Sequence, residues 1–122
     1  MHGSIHLINN SKMGRSVITN QNIPAGLLLE ECPVINISPD TLALLFDKDY
    51  EQWSYTFQRG NKIFLALGLM TFVNHKDEPN CEVTYDGITA CMRSTRIIDS
   101  GEHLSIWYEN INEYKEVGSW ER

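Results

Sequence analysis

Several large classes of protein are excluded by what this sequence has little of. Only three of its 122 residues are cysteine, Cys32, Cys81 and Cys91, and no two of them form a Cys-x-x-Cys pair. That leaves no spacing for a structural zinc site or a disulfide framework and fits a reducing compartment. Positive charge is in the minority: 10 Lys and Arg stand against 16 Asp and Glu, for a formal charge of -6. Such a balance speaks against a nucleic-acid surface and is compatible with a basic peptide as partner. The longest nearly unbroken apolar run, Ile63 to Val73, falls well short of the ~20 residues that span a bilayer, so it reads as buried core and no membrane partner is expected. The opening Met-His-Gly-Ser-Ile-His has no apolar stretch of the kind a secretory signal carries. An intracellular protein, cytoplasmic or nuclear, is the expectation.

What is present is an ordinary globular composition, 42% apolar and 21% charged, with a length suited to one domain over 1–122. Short β-type segments separated by turn residues dominate, so the class is mainly β. Strands are expected at Ile5 to Ile8, Arg15 to Thr19, Leu27 to Glu31, Val34 to Ile37 and Lys62 to Leu67. Glu82 to Tyr85 and Ile88 to Met92, joined by Asp86-Gly87, make the clearest hairpin. Arg96 to Ile98 and Leu104 to Tyr108 complete the set. Ser38-Pro39-Asp40 supplies helix-start chemistry for a short helix over Thr41 to Phe46. Trp53, Tyr55 and Phe57 alternate as on one face of a strand, and Gly60-Asn61 is a hairpin turn. Gly68 to Val73 reads equally as a helical turn or a strand end. One internal echo is visible: Ile23-x-x-Gly26-x-x-Leu29 and Ile98-x-x-Gly101-x-x-Leu104 share their spacing.

Chemistry concentrates in two places. Asn74-His75-Lys76-Asp77-Glu78-Pro79-Asn80 is by composition a turn-rich surface loop, yet it follows directly on the most apolar run. Asn74 and His75 therefore fall at the lip of the core, where polar groups can hold a ligand. His2, His6 and His103 show no ligand spacing with His75, so it is expected to position groups by hydrogen bonding, and neither a metal nor a base role is assigned to it. In Leu104-Ser105-Ile106-Trp107-Tyr108, period two puts Leu104, Ile106 and Tyr108 on one face, opposite Ser105 and Trp107. The Tyr108 phenol then points inward and needs a partner.

Taken together, these segments resemble the SET-domain protein lysine methyltransferases. That family carries an early Gly-x-Gly turn, an Asn-His-Ser-x-x-Pro-Asn loop and a Gly-Glu-Glu-Leu-Thr strand closing on a catalytic tyrosine. The counterparts, in the same order, are Gly14-Arg15-Ser16, Asn74 to Asn80 and Gly101-Glu102-His103-Leu104-Ser105-Ile106-Trp107-Tyr108. Tyr55-Thr56-Phe57 is similar to the Tyr-x-Phe segment lining the lysine channel of small viral members. Ser16 replaces a glycine, which slightly hinders close approach of a cofactor; Lys76 replaces a serine, and His103 a glutamate. Asp77 stands where many members place a zinc-ligating cysteine, so the resemblance is to the zinc-free core found in viral and bacterial members.

The resemblance implies small curved sheets with a knot-like threading of the C-terminal segment, a core over about 5–108 and a tail over 109–122. It implies methyl transfer from S-adenosyl-L-methionine to a lysine of a protein or peptide, a histone tail being one such substrate. Tyr108 and Tyr55 would be catalytic. Lys12, Met13, Gly14, Asn74, His75 and Tyr108 would bind the cofactor, with Trp120 or Tyr114 folding back on the adenine. No metal is implied. A minimal domain of this kind can complete its peptide groove as a homodimer. The competing reading is a catalytically silent SET-like module that binds a basic peptide or partner protein.

Overall fold

The computed structural model, which describes residues 3–10, 14–38, 40, 56–59 and 62–108, is built mainly of short strands in small sheets. β1 (Ile5–Asn10) and β2 (Gly14–Thr19) form an antiparallel hairpin, with Asn10 opposite Gly14. Gly14 has φ +71, a conformation that costs a residue with a Cβ but not glycine.

The larger sheet has the order β4-β5-β3-β8-β7, from β3 (Leu28–Ile37), β4 (Phe57–Arg59), β5 (Lys62–Ala66), β7 (Cys81–Tyr85) and β8 (Thr89–Ser94). β3 is one continuous strand where the sequence suggested two. Pro33, which has no N–H for a ladder, sits at the handover, where pairing passes from β8 (through Pro33 opposite Thr89) to β5 (from Val34 opposite Ala66). The inward face carries Cys32, Phe64, Ala66, Val83, Ala90 and Met92, all buried, while Ile35 and Leu67 on the other face are about half exposed. The β7–β8 hairpin is as expected: Asp86 Oδ1 accepts the amides of Ile88 and Thr89, which holds its carboxyl below the usual range. The predicted helix over Thr41 to Phe46, Trp53, Tyr55 and the Gly60-Asn61 turn lie outside the described residues. Phe57, the one residue of that alternation among those described, is buried at the start of β4.

A register shift between Leu28 and Glu30 turns two successive side chains, Leu29 and Glu30, into the interior. The Glu30 carboxylate, 3% exposed, accepts the amides of Leu69 and Met70 at 2.8 Å each. Those amides open a 3₁₀ turn, Leu69–Phe72, so Gly68 to Val73 resolves as a helical turn. A helix start leaves its first amides without internal partners, and a buried carboxylate satisfies two of them. Gly68 makes room for it: a Cβ there would lie 2.6 Å from Glu30 Oε1.

The internal echo has a structural counterpart. Ile23 and Ile98 form an antiparallel bridge with each other, each donating its amide to the other's carbonyl at 2.8 and 2.9 Å. Beyond it the pattern continues: Gly26 donates to Ser94 and Gly101 to Thr19, while Ser94 donates to Leu27 and Thr19 to Glu102. The two Ile-x-x-Gly units are thus related by a local pseudo-two-fold axis at the isoleucine bridge. Ile98 makes this single bridge and does not lie in the strand expected over Arg96 to Ile98.

Burial also sets the thiols apart. Loss of hydration raises Cys32 to about 11, with the nearby Glu30 charge adding to it, and raises Cys81 to about 12. Cys91, partly exposed, is the accessible one.

Two outcomes follow. Glu30→Ala strands two buried amides and is expected to cost about 3 kcal/mol in urea denaturation, with Gly68→Ala costing about 2 by pushing the carboxylate away. Near pH 7.5, a disulfide thiol reagent should modify Cys91 rapidly and Cys32 and Cys81 only on unfolding, as read by peptide mass mapping.

Candidate functional site

At the end of the 3₁₀ turn the chain enters β6 (Asn74–His75), which pairs in parallel with β9 (Ser105–Ile106), Asn74 opposite Ser105 and His75 opposite Ile106. β9 is shorter than the expected Leu104 to Tyr108 strand, because its neighbours change along its length. Leu104 donates to Val17 of β2 at 2.8 Å, Ile106 accepts from Lys76 at 3.1 Å, and Asn80 closes over Ser105. The segment is therefore tucked between parts of the chain far apart in sequence; the tail beyond it, 109–122, lies outside the described residues.

Asn80 locks this tuck. Its Nδ2 donates to Glu102 Oε2 and to the His103 carbonyl, both at 2.9 Å; its Oδ1 accepts from the Ser105 amide at 2.8 Å and from Ser105 Oγ at 3.3 Å. Its own amide donates to Ser105 Oγ at 3.1 Å. Every hydrogen-bonding position of a carboxamide is used, two donors and two acceptors, at 1% exposure. Ser105 is consequently buried at 1%, against the outward orientation that strict alternation predicted. Asn80 was visible in the loop motif but not as the residue that fixes it. Its partners lie more than 20 residues on, so no local pattern carried the signal.

Tyr108 lies at the centre. It is fully buried, and its hydroxyl donates to the Val73 carbonyl at 2.7 Å. Its ring stacks on Phe57 at 5.1 Å, Phe57 stacks on Phe64 at 5.2 Å, and Phe64 on Tyr85 at 4.2 Å. The Tyr108 amide donates to His75 Nδ1 at 3.1 Å. An Nδ1 that accepts a hydrogen bond carries no proton, so the neutral ring is protonated at Nε2, which reaches Asp77 Oδ1 at 3.2 Å. Both ring nitrogens are committed. His75 thus holds the backbone at Tyr108 and has no lone pair free to act as a base.

Of the residues expected at the site, Asn74, His75 and Tyr108 come together around the Val73 carbonyl. Gly14 begins β2 nearby: the guanidinium of the next residue, Arg15, lies 5.4 Å from the centre of the Phe72 ring at the end of the 3₁₀ turn. Lys12, Met13, Tyr55, Tyr114 and Trp120 lie outside the described residues. Asn74 is 8% exposed, and its Nδ2 is the buried side-chain polar atom left without a partner among the described residues. Open space surrounds the position of a Cβ at Gly14. No cluster of potential metal ligands occurs among the described residues.

A set of small curved sheets closing on a tucked strand with an inward tyrosine defines the SET class of folds. The SET-domain family model matches residues 14–109, and the chain belongs to that family, whose members are generally S-adenosyl-L-methionine-dependent lysine methyltransferases acting on proteins. Among solved structures, the chain is similar to a Plasmodium falciparum protein described as a candidate histone methyltransferase. That likeness has a TM-score of 0.68 at 20% identity and covers 88% of this chain and 95% of the other. It bears on the fold.

Glu102 carries the pH dependence of the lock. The Asn80 amide, reinforced by Arg96 at 2.9 Å and the Asp99 amide, holds its carboxyl below the usual range. A depressed folded-state value contributes stability that is present above the unfolded carboxylate pKa of about 4.3 and lost as pH falls through the folded value. Asn80→Ala is expected to cost about 3 kcal/mol and to flatten this acid limb. An acid limb unchanged in Asn80→Ala, measured by urea denaturation from pH 7 to 3, would count against the lock.

Proposed function

We propose that the chain is a protein-lysine N-methyltransferase that uses S-adenosyl-L-methionine, with Tyr108 as its catalytic phenol. The observation that carries this reading is the buried Tyr108 hydroxyl bonded to the Val73 carbonyl, beside Asn74, whose side-chain nitrogen lacks a partner among the described residues. An orphaned buried donor costs about 1–3 kcal/mol, and an acceptor on a bound ligand removes that cost. The residues therefore fit the cofactor. Gly14, with Lys12 and Met13 before it, would hold it with Asn74 and His75, and Trp120 or Tyr114 would cover the adenine. When bound, the cofactor supplies a methyl carbon on a positively charged sulfur, open to in-line attack by an amine.

The chain's own contribution is position and dryness. A lysine amine has a pKa of about 10.4 in water and reacts only when neutral. Apolar surroundings such as Phe57 and Ile106, both essentially unexposed, would favour the neutral form of an amine brought beside them by withholding hydration. With its proton given to the Val73 carbonyl, the Tyr108 phenol would serve in this reading as an acceptor, orienting the amine by its N–H or the methyl by its C–H. Tyr55 would form part of the channel wall. Alignment of two bound reactants is worth on the order of 7 kcal/mol or more in favourable cases, which needs no strong base.

The substrate in this reading is a lysine-bearing protein, a histone tail being the leading candidate, and the protein's place of action is then the nucleus or cytoplasm. A single catalytic domain over 1–122 is part of the reading. So is a homodimer, for which the half-exposed Ile35 and Leu67 offer apolar surface. The silent-module alternative draws on one observation, the complete enclosure of Tyr108.

Incubation with methyl-labelled cofactor and a panel of basic proteins separates the two readings. Labelled lysine is expected, and Tyr108→Phe should lower kcat at least about 100-fold while retaining cofactor binding. An absence of both labelling and calorimetric cofactor binding rules the enzyme out.

A further inference from the structure

Ser16 and His103 are two of the positions at which the chain departs from its family's motifs, and in the fold they are partners. Ser16 Oγ lies 2.7 Å from His103 Nδ1, across 87 residues of sequence. Ser16 is fully buried, so its side chain is turned onto the imidazole and not into the space beside Gly14. The hindrance to a cofactor expected from a Cβ at this position does not arise on that side.

The contact falls at a junction. His103 bridges Ile18 of β2, and the residues flanking it bond to β2 as well, Glu102 accepting from Thr19 and Leu104 donating to Val17. Its carbonyl accepts the Asn80 side chain. Five residues further on is Tyr108; two residues before Ser16 is Gly14. A buried hydroxyl without a partner costs about 1–3 kcal/mol, so serine at 16 demands an acceptor or donor at 103, and glycine at 16 would remove the contact that the imidazole makes to β2 through its Nδ1. The histidine at 103 thus accounts for how a serine is accommodated at 16.

We propose that Ser16 and His103 form a positioning pair that holds the Gly14 turn in register with the strand leading to Tyr108, and so couples the cofactor site to the phenol. The inference rests on the methyltransferase reading above. Neither residue touches the reacting atoms.

Calorimetric titration with S-adenosyl-L-methionine, alongside kcat and KM, tests it on wild type, Ser16→Ala, His103→Ala, the double variant, His103→Asn and His103→Gln. Each alanine variant is expected to raise the cofactor Kd about tenfold, and the double variant no more than either single, the mark of one shared contact. Asparagine carries a polar atom close to the Nδ1 position and should restore binding to within about threefold; glutamine, whose polar atoms fall nearer Nε2, should not. Multiplicative effects in the double variant overturn the proposal. So do thermal midpoints that fall while Kd stays at the wild-type value, since a merely structural contact gives that result. If His103→Ala does not fold, the contrast between asparagine and glutamine decides the matter alone. Wild type that binds no cofactor overturns the methyltransferase reading and the pair's role together, whereas wild-type binding with unaltered variants overturns the pair alone.

Discussion

One carboxamide holds the site in shape. Asn80 joins the loop after β6 to the Glu102 side chain, the His103 carbonyl and both polar groups of Ser105. Without it, β9 would lose its tie to the loop after β6 while keeping its short parallel pairing with Asn74 and His75, and the loop from Lys76 to Pro79 would lose its anchor. Everything that bears on Tyr108 is downstream of this arrangement: the His75 ring can accept the Tyr108 amide, and the Val73 carbonyl its hydroxyl, only while β6 and β9 lie side by side. The contact is polar, directional and buried, so it specifies one register where apolar packing would tolerate several.

The second polar group in the interior works from the opposite side. Glu30 reaches the first amides of the 3₁₀ turn and thereby sets where that turn ends, which is at Val73 and Asn74. A buried carboxylate is expensive unless its oxygens are satisfied, and here two backbone donors do so. The carbonyl beneath the Tyr108 hydroxyl is thus aimed by a residue on the central strand, through the turn, and held from the other side by Asn80. An aromatic stack runs from Tyr108 through Phe57 and Phe64 to Tyr85.

The legible parts of this molecule were those whose causes are local. Asp86-Gly87 announces its hairpin because the aspartate and glycine themselves make the turn. The Asn74 to Asn80 loop and Tyr108 were visible as motifs in order, and the alternation that turns Leu104, Ile106 and Tyr108 inward held. What could not be read depends on partners distant in sequence. Glu30 looks like an ordinary surface glutamate until the amides of Leu69 and Met70 come to it. Ser105 looks outward until Asn80 takes its hydroxyl. Two strands were expected around Pro33, because the sequence alone cannot say that the proline falls where one ladder yields to another. Ser16 and His103, seen singly, were departures from a motif, and only the fold shows that they meet.

The tuck of β9 also fixes when the site can exist. The recorded partners of Tyr108, which are Phe57, Val73 and His75, all belong to segments made earlier, as do Val17 and Asn80, which hold the residues leading to it. A chain emerging from the ribosome at about 5–20 residues per second can pair β1 with β2 and assemble much of the larger sheet before the strand that completes the pocket has been synthesised. Until then the Val17 and Val73 carbonyls and the edge of β6 lack the partners that the tyrosine strand brings. The surroundings of Tyr108 are thus assembled last, and the interior they enclose is most open just before that strand is made.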